Sequence, residues 1–413
     1  MHRLRSVLLM GLLCCVVCPL VVAQEWTRFR GPNGAGTSAA TTIPASWDAD
    51  DYNWVAELPG VGHSSPVIWQ DRIFLTSATE EGQQRHLHCL AVADGSILWT
   101  RTAAASTHRK HSRNSYASPT PAVDAERVYV LWADPSAYVL VAFDHKGERL
   151  WQRDFGPFAG GHGVGTSPMV YGDMVVLGKD EDVDSSLIAL DAATGKDRWR
   201  VDRTSSKVAY STPCVYQNAR GEDELIFNSG THGISSIDPA SGQLNWEIQV
   251  FDKRSVSSPI VAAGLIFGSC GSGAGGNYVV AVRPGDAASG VEPEEAFRVD
   301  KSAPYVPTSV AHEGLVFLWS DGGIVTPVEV PAGVPLRSKR VGGKFSGSPV
   351  CVAGRLYCVS DDGDVVVLSA DSELTELARV SLDEECRSTP SVAGGRMYLR
   401  TITRLYSLGA GGG

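Results

Sequence analysis

The stretch Ala189-Leu190-Asp191-Ala192-Ala193-Thr194-Gly195-Lys196-Asp197-Arg198-Trp199 decides the fold. Asp191 can accept N–H bonds from the residues that follow it, and Gly195 can take a positive φ, so the centre reads as a tight turn between two strands. Trp199 then opens a new strand with a large ring on one face. Ile237-Asp238-Pro239-Ala240-Ser241-Gly242 leading to Trp246 repeats the phrase. Ala142-Phe143-Asp144 leading to Trp151, and Ala91-Val92-Ala93-Asp94-Gly95 leading to Trp99, are shortened copies.

Working outward, a second phrase separates these copies: a hydroxyl residue, Pro, an apolar run, a turn, and an apolar-aromatic strand. Its Pro column reads Pro66, Pro121, Pro168, Pro213, Pro259, Ser309, Pro349 and Pro390, at intervals of 55, 47, 45, 46, 50, 40 and 41. The preceding residue is Ser65, Thr120, Ser167, Thr212, Ser258, Thr308, Ser348 and Thr389, a hydroxyl in all eight copies. Each unit therefore reads as four short antiparallel strands. A period of roughly 40–50 residues with four strands per unit predicts an all-β, eight-bladed β-propeller. Small residues suit the innermost strands, which crowd around one axis, and Pro is tolerated where a strand begins.

The last copy lacks its Trp strand, and an orphan strand at residues 53–58 stands before the first Pro copy. The outer-strand column then becomes Trp54, Trp99, Trp151, Trp199, Trp246, Phe297, Leu336 and Leu377. The expectation is that the N-terminal strand completes the last blade and so removes two aggregation-prone edges. The expected organisation is a leader at 1–23, an extension at 24–51, the propeller at 52–408 and a Gly-rich tail at 409–413.

The leader has Arg3 and Arg5, an apolar run, and the small-residue site Val21-Val22-Ala23, the layout of a secretory signal peptide. No lipid-anchor site is evident, so the expected location is periplasmic or secreted. Without the leader the chain carries 34 basic and 46 acidic residues, a charge of −12. That acidity argues against a nucleic-acid binder. No other apolar run spans a membrane, and a monomer is expected. Cys89, Cys214, Cys270, Cys351, Cys358 and Cys386 remain; their scatter gives no zinc spacing and leaves open disulfides or buried small apolar residues.

Ala189 to Trp199 resembles the tryptophan-docking motif A-x-D-x-x-T-G-x-x-x-W of the pyrroloquinoline-quinone (PQQ) repeat, BamB-like propellers of exported bacterial proteins. The resemblance covers about residues 26–408. Trp26-Thr27-Arg28-Phe29-Arg30-Gly31-Pro32-Asn33-Gly34-Ala35-Gly36 also resembles an N-terminal segment of such proteins, placed by its spacing to plug or strap the propeller. The resemblance implies one of two functions: a scaffold or binding module, or a quinoprotein oxidoreductase holding PQQ and calcium on the axis. The enzymes of the second class place a vicinal disulfide against the quinone, and the adjacent pair here, Cys14-Cys15, lies in the leader. A binding module without cofactor, acting on an anionic ligand or an envelope partner, is the expectation; a PQQ-dependent oxidoreductase is the alternative.

Loops that lead from each outer strand into the next inner strand open on one face. They carry the candidate ligand-binding residues His63, Arg109, Lys110, Arg113, His162, Tyr210, Arg254, Tyr305, Lys344 and Arg387. Cations around a concave mouth would focus an anion, and the ring of hydroxyls would donate further bonds. No catalytic residue and no metal site are assigned. Asp180-Glu181-Asp182-Val183-Asp184 reads as an exposed acidic loop, and Asp361-Asp362-Gly363-Asp364 as a hairpin turn.

Overall fold

The structure is a computed structural model that describes residues 25–182 and 184–410. The signal-peptide expectation, on residues 1–23, and the last residues of the tail lie outside the described residues. Among the described residues no helix is long and apolar enough to cross a membrane.

The described residues form eight sheets of antiparallel blade strands; in six of them all strands are consecutive in the chain, and the other two each take one strand from the N-terminal segment. The first blade is Val67–Trp69, Arg72–Ala78, Gln84–Ala91 and Ile97–Ala104. The third is Met169–Tyr171, Met174–Lys179, Asp184–Asp191 and Asp197–Thr204. The eighth has Ser391–Ala393, Arg396–Arg400 and Arg404–Gly409, with Tyr52–Glu57 as its outer strand, where Trp54 stands opposite Ser407. In the sixth blade the outer strand is broken into Val334–Pro335 and Lys339–Arg340.

The core is a ring of layers between neighbouring blades. Tyr129, Leu131 and Leu140 of the second blade, for example, pack on Val175, Leu177 and Ile188 of the third. The tryptophan column seals these layers from outside. Trp54 Nε1 donates to Val92 O at 3.0 Å, Trp99 to His145 O at 3.0 Å, Trp151 to Ala192 O at 2.9 Å and Trp199 to Pro239 O at 2.8 Å, each in the next blade around the ring. The turn glycine beneath the ring leaves the room: a Cβ on Gly195 would stand 2.6 Å from Trp151, and one on Gly95 2.5 Å from Trp54. Trp246 departs from the pattern, because its indole donates to Glu224 of its own blade at 2.9 Å.

One register in the column is corrected. Most outer strands carry a bulge just before the docking residue, as between Ala189 and Leu190 opposite Trp199. In the seventh blade the bulge puts Ala378 opposite Val367, so Ala378 holds the docking position and Leu377 is exposed. Ala378 lies 11 residues after its partner Val367, against 10 from Ala189 to Trp199, so a count carried over from the third blade stops one residue early, at Leu377.

The acidic-loop expectation is also corrected. Asp180 and Glu181 are buried; Arg203 Nε reaches Asp180 at 2.8 Å, and Lys179 reaches Glu181 at 2.8 Å. Buried carboxylates persist where a charged partner compensates their desolvation, and the partner of Asp180 is 23 residues away on the outer strand. All six cysteines of the described residues are free and buried. Burial pushes the Cys386 thiol up to about 12.

The segment at 26–38 straps the inner ends of the blades. Trp26 bridges to Ile68 in the first blade, Thr27 O accepts from Val123 N in the second, and Asn33 exchanges bonds of 2.7 and 2.8 Å with Val215 in the fourth. Thr37–Ser38 adds a parallel strand to the seventh blade. Arg28 donates to Pro213 O, and the fully buried Arg30 donates to Ser309 O at 2.7 Å and Pro349 O at 2.8 Å. These acceptors lie in or beside the Pro column, where no sheet partner remains on the axis side.

Candidate functional site

The hydroxyl column forms a belt around the axis. Among the described residues seven hydrogen bonds of 2.9–3.2 Å run from the N–H of one column residue to the hydroxyl oxygen of the next, from Ser65 N on Thr120 Oγ1 around to Thr389 N on Ser65 Oγ. The sequence argument used these hydroxyls as ligand donors. Each of the seven accepting hydroxyls first takes a neighbouring blade's backbone N–H, and its own proton is what remains to donate inward.

This belt walls a cup of about 750 Å³ on the axis. Phe29 of the strap lines it beneath the belt, together with seven of the column hydroxyls. The entry loops place His63, Arg113, His162, Tyr210, Arg254, Tyr305, Lys344 and Arg387 around it. Two sequence candidates fall outside the lining: Arg109 is exposed, and the Lys110 ammonium sits over the Tyr116 ring, 5.2 Å from its centroid. Burial and then the nearby Arg387 lower the Lys110 pKa.

The cations differ in their partners. Arg387 reaches Glu385 at 3.2 Å and Asp361 at 4.0 Å. Asp361 therefore is more than a hairpin residue: it is buried against the cup wall. Arg113, Arg254 and Lys344 make no salt bridge among the described residues. The buried Nε of Arg254 lacks an acceptor, as does the Tyr210 hydroxyl. Burial raises the pKa values of Tyr210 and Tyr305, and the Arg254 charge opposes the rise in both.

His63 and His162 are neutral components of the wall. Burial, then Arg387, Arg400 and Lys110, push His63 down to about 3. His162 is lowered by burial and then Arg254, and its ring stacks on His111 with centroids 5.5 Å apart.

Among the described residues Asp321 is the one carboxylate in the lining, and sequence reasoning missed it. It accepts the N–H groups of Tyr305 at 2.7 Å and Val306 at 3.2 Å, yet burial holds its carboxyl above the usual range despite these bonds and Arg113. A signal was available. In a four-stranded antiparallel blade, the turn between the second and third strands opens on the same face as the loop entering the first. Ser320-Asp321-Gly322-Gly323 is such a turn. Phe29 had no comparable signal, since nothing in spacing says which strap residue reaches the axis.

The family model described as outer membrane protein assembly factor BamB matches residues 41–183 and 158–285, more than half of the chain. No curated protein matches in sequence. Among solved structures, BamB from Moraxella catarrhalis superposes with a TM-score of 0.61 at 15% identity, covering 86% of this chain and 97% of that one. Quinohemoprotein alcohol dehydrogenase from Comamonas testosteroni gives a TM-score of 0.67 at 15% identity, covering 94% of this chain and 81% of that one. The computationally designed Ika8 protein gives 0.59 at 11% identity, covering 87% of this chain and 100% of that one. At these identities the likeness shows the fold alone.

Proposed function

The chain belongs to the PQQ-repeat, BamB-like propeller family, and from that premise we propose that it is an exported binding module whose cup captures an anionic ligand or an acidic segment of an envelope partner. The observation that carries this reading is the charge of the lining. Arg113, Arg254 and Lys344, which make no salt bridge among the described residues, stand around a hydroxyl-belted cup in a chain of net charge −10. Cations in a low-dielectric concavity concentrate anions, and an arginine fork fits carboxylate or phosphate.

The alternative, a PQQ-dependent oxidoreductase, draws support from Asp321, a carboxylate of raised pKa in the cup that could take a proton. The donor set fits an anion better than a calcium-quinone pair. Asp321 stands alone among the lining carboxylates, and the described residues hold no cluster of three or more His, Cys, Asp or Glu able to take a metal ion. Catalysis through that cofactor is therefore not part of the proposal.

Citrate titrated at low and at physiological salt tests the reading. Binding that weakens as salt screens the rim, over about 8–10 Å, is expected. A dye-reduction assay with added PQQ and calcium runs alongside. Salt-independent citrate binding, or robust dye reduction, would replace the binding-module reading.

A further inference from the structure

The lining of the axial cup carries a charge mismatch that a plain anion leaves in place. Among the described residues Arg113, Arg254 and Lys344 make no salt bridge, and Asp321 makes none either. A chain of contacts sets Asp321 on one wall with Arg254. Gly271 N donates to Arg254 O at 3.0 Å, a Cβ on Gly271 would stand 2.9 Å from Tyr305 Cδ2, and Tyr305 N donates to Asp321 at 2.7 Å. The adjacent fifth and sixth blades thus bring a guanidinium, a phenol and a carboxylate together. Arg113 comes from the loop entering the second blade, on the opposite side of the ring, and its charge reaches Asp321 without a salt bridge.

Asp321 is more than a clasp for the loop it holds. The N–H groups of Tyr305 and Val306 ask only for an acceptor, which an asparagine or serine would supply without the desolvation cost of a charge. They also leave the side chain unsaturated: an ionised carboxylate has about four acceptor positions, and Tyr305 and Val306 supply two N–H groups. An anionic occupant satisfies the cations but places like charge beside Asp321. An occupant that adds one ammonium to several carboxylates answers both signs. An ammonium beside Asp321 also favours the ionised form of its carboxyl, so the pair forms together.

We propose that the cup's ligand is a short acidic peptide with a free amino terminus, a proposal that rests on the reading of the cup as an anion site. The terminal ammonium sits at Asp321, and the peptide's carboxylates reach Arg254, Arg113 and Lys344, where an arginine fork suits them. One carboxylate against three cations without a salt bridge matches one ammonium against several carboxylates. The protons that the belt hydroxyls have left to donate inward meet peptide carbonyls. A cup of about 750 Å³ lies in the volume range of small-molecule sites and exceeds what a single amino acid fills.

The probe is triglutamate with a free amino terminus, titrated calorimetrically into the full mature chain at low salt and neutral pH, beside its N-acetyl form. An amino terminus of pKa about 7.7–8.0 is mostly protonated there. Wild type is expected to bind the free form roughly ten-fold or more tighter than the acetylated form, the worth of one charge-assisted contact. Asp321→Asn should lose that preference while binding the acetylated form at least as tightly as wild type does. Citrate binding with both peptides bound alike by wild type would overturn this proposal and leave the anion cup standing. So would a preference for the free form that survives in Asp321→Asn. Failure of citrate and of both peptides to bind would overturn the proposal together with the reading beneath it.

Discussion

The backbone N–H of Thr389 donates to the hydroxyl oxygen of Ser65 at 3.2 Å, joining the last blade to the first across 324 residues of sequence. With Tyr52–Glu57 paired to Arg404–Gly409 it ties the ends of the chain at both the inner and the outer rim of the ring. Ser65→Ala leaves a buried N–H without an acceptor, so a loss of about 1–3 kcal/mol is expected in urea unfolding. Ser65→Thr keeps the acceptor and should restore most of it. Equal stability of the alanine and threonine variants would argue that the belt bond contributes nothing.

The strap gives a second expectation. Arg30 is fully buried, and it donates to Gly34 O, Ala35 O, Ser309 O and Pro349 O. Arg30→Ala strands these carbonyls and empties a large volume, which should cost about 3 kcal/mol or more. Residues 31–36 should then become accessible to limited proteolysis while the blades stay folded. Wild-type protease resistance in the variant would contradict the strap's role.

The docking of Trp54 on Gly95 can be read as a coupling. Trp54→Ala is expected to cost about 3–5 kcal/mol. Gly95→Ala should destabilise on its own, because Gly95 has φ +73° and its Cβ would meet the ring at 2.5 Å. In the double variant the steric part of the Gly95→Ala cost should vanish, giving a non-additive cycle. Additive losses would mean that the ring and the turn do not touch in solution.

Much of this was legible in one sequence, and the reasons are local. The hydroxyl-Pro column and the Asp-Gly turns are backbone requirements, repeated at each blade, so counting them counts blades. What stayed hidden is non-local or adds no pattern. The one extra residue between Val367 and Ala378, which moves the docking position past Leu377, breaks no hydrophobic pattern. The pairing of Arg203 with Asp180 joins residues from different strands, so the acids read as a solvated loop. In the cup, eight of ten candidates line the cavity because entry loops share one face; Lys110 misses because its stem turns to Tyr116. Phe29 arrives from a strap whose path no periodicity encodes.

Asp321 sets the expected pH response of anion binding. Its carboxyl titrates above the ordinary range because it is buried, and in its ionised form it opposes a bound anion. Citrate binding should strengthen as pH falls through that raised pKa, until citrate itself takes up protons. His63, held down to about 3, adds no charge in this window. Asp321→Asn keeps an acceptor for the Tyr305 and Val306 N–H groups, and should tighten binding at pH values above that raised pKa and flatten its pH dependence. An unchanged pH profile in Asp321→Asn would remove Asp321 from the cup's electrostatics.

The most direct measurement is calorimetric titration of benzene-1,3,5-tricarboxylate, at fixed low salt, into wild type and into an Arg113→Ala, Arg254→Ala variant. Both substitutions sit on entry loops outside the blades, so the fold should survive them. The account predicts saturable binding by wild type and a loss of about 100-fold or more in the variant, the sum of two charge-assisted contacts. Equal affinity in the two proteins, with the variant folded, would contradict the assignment of the cup as an anion site.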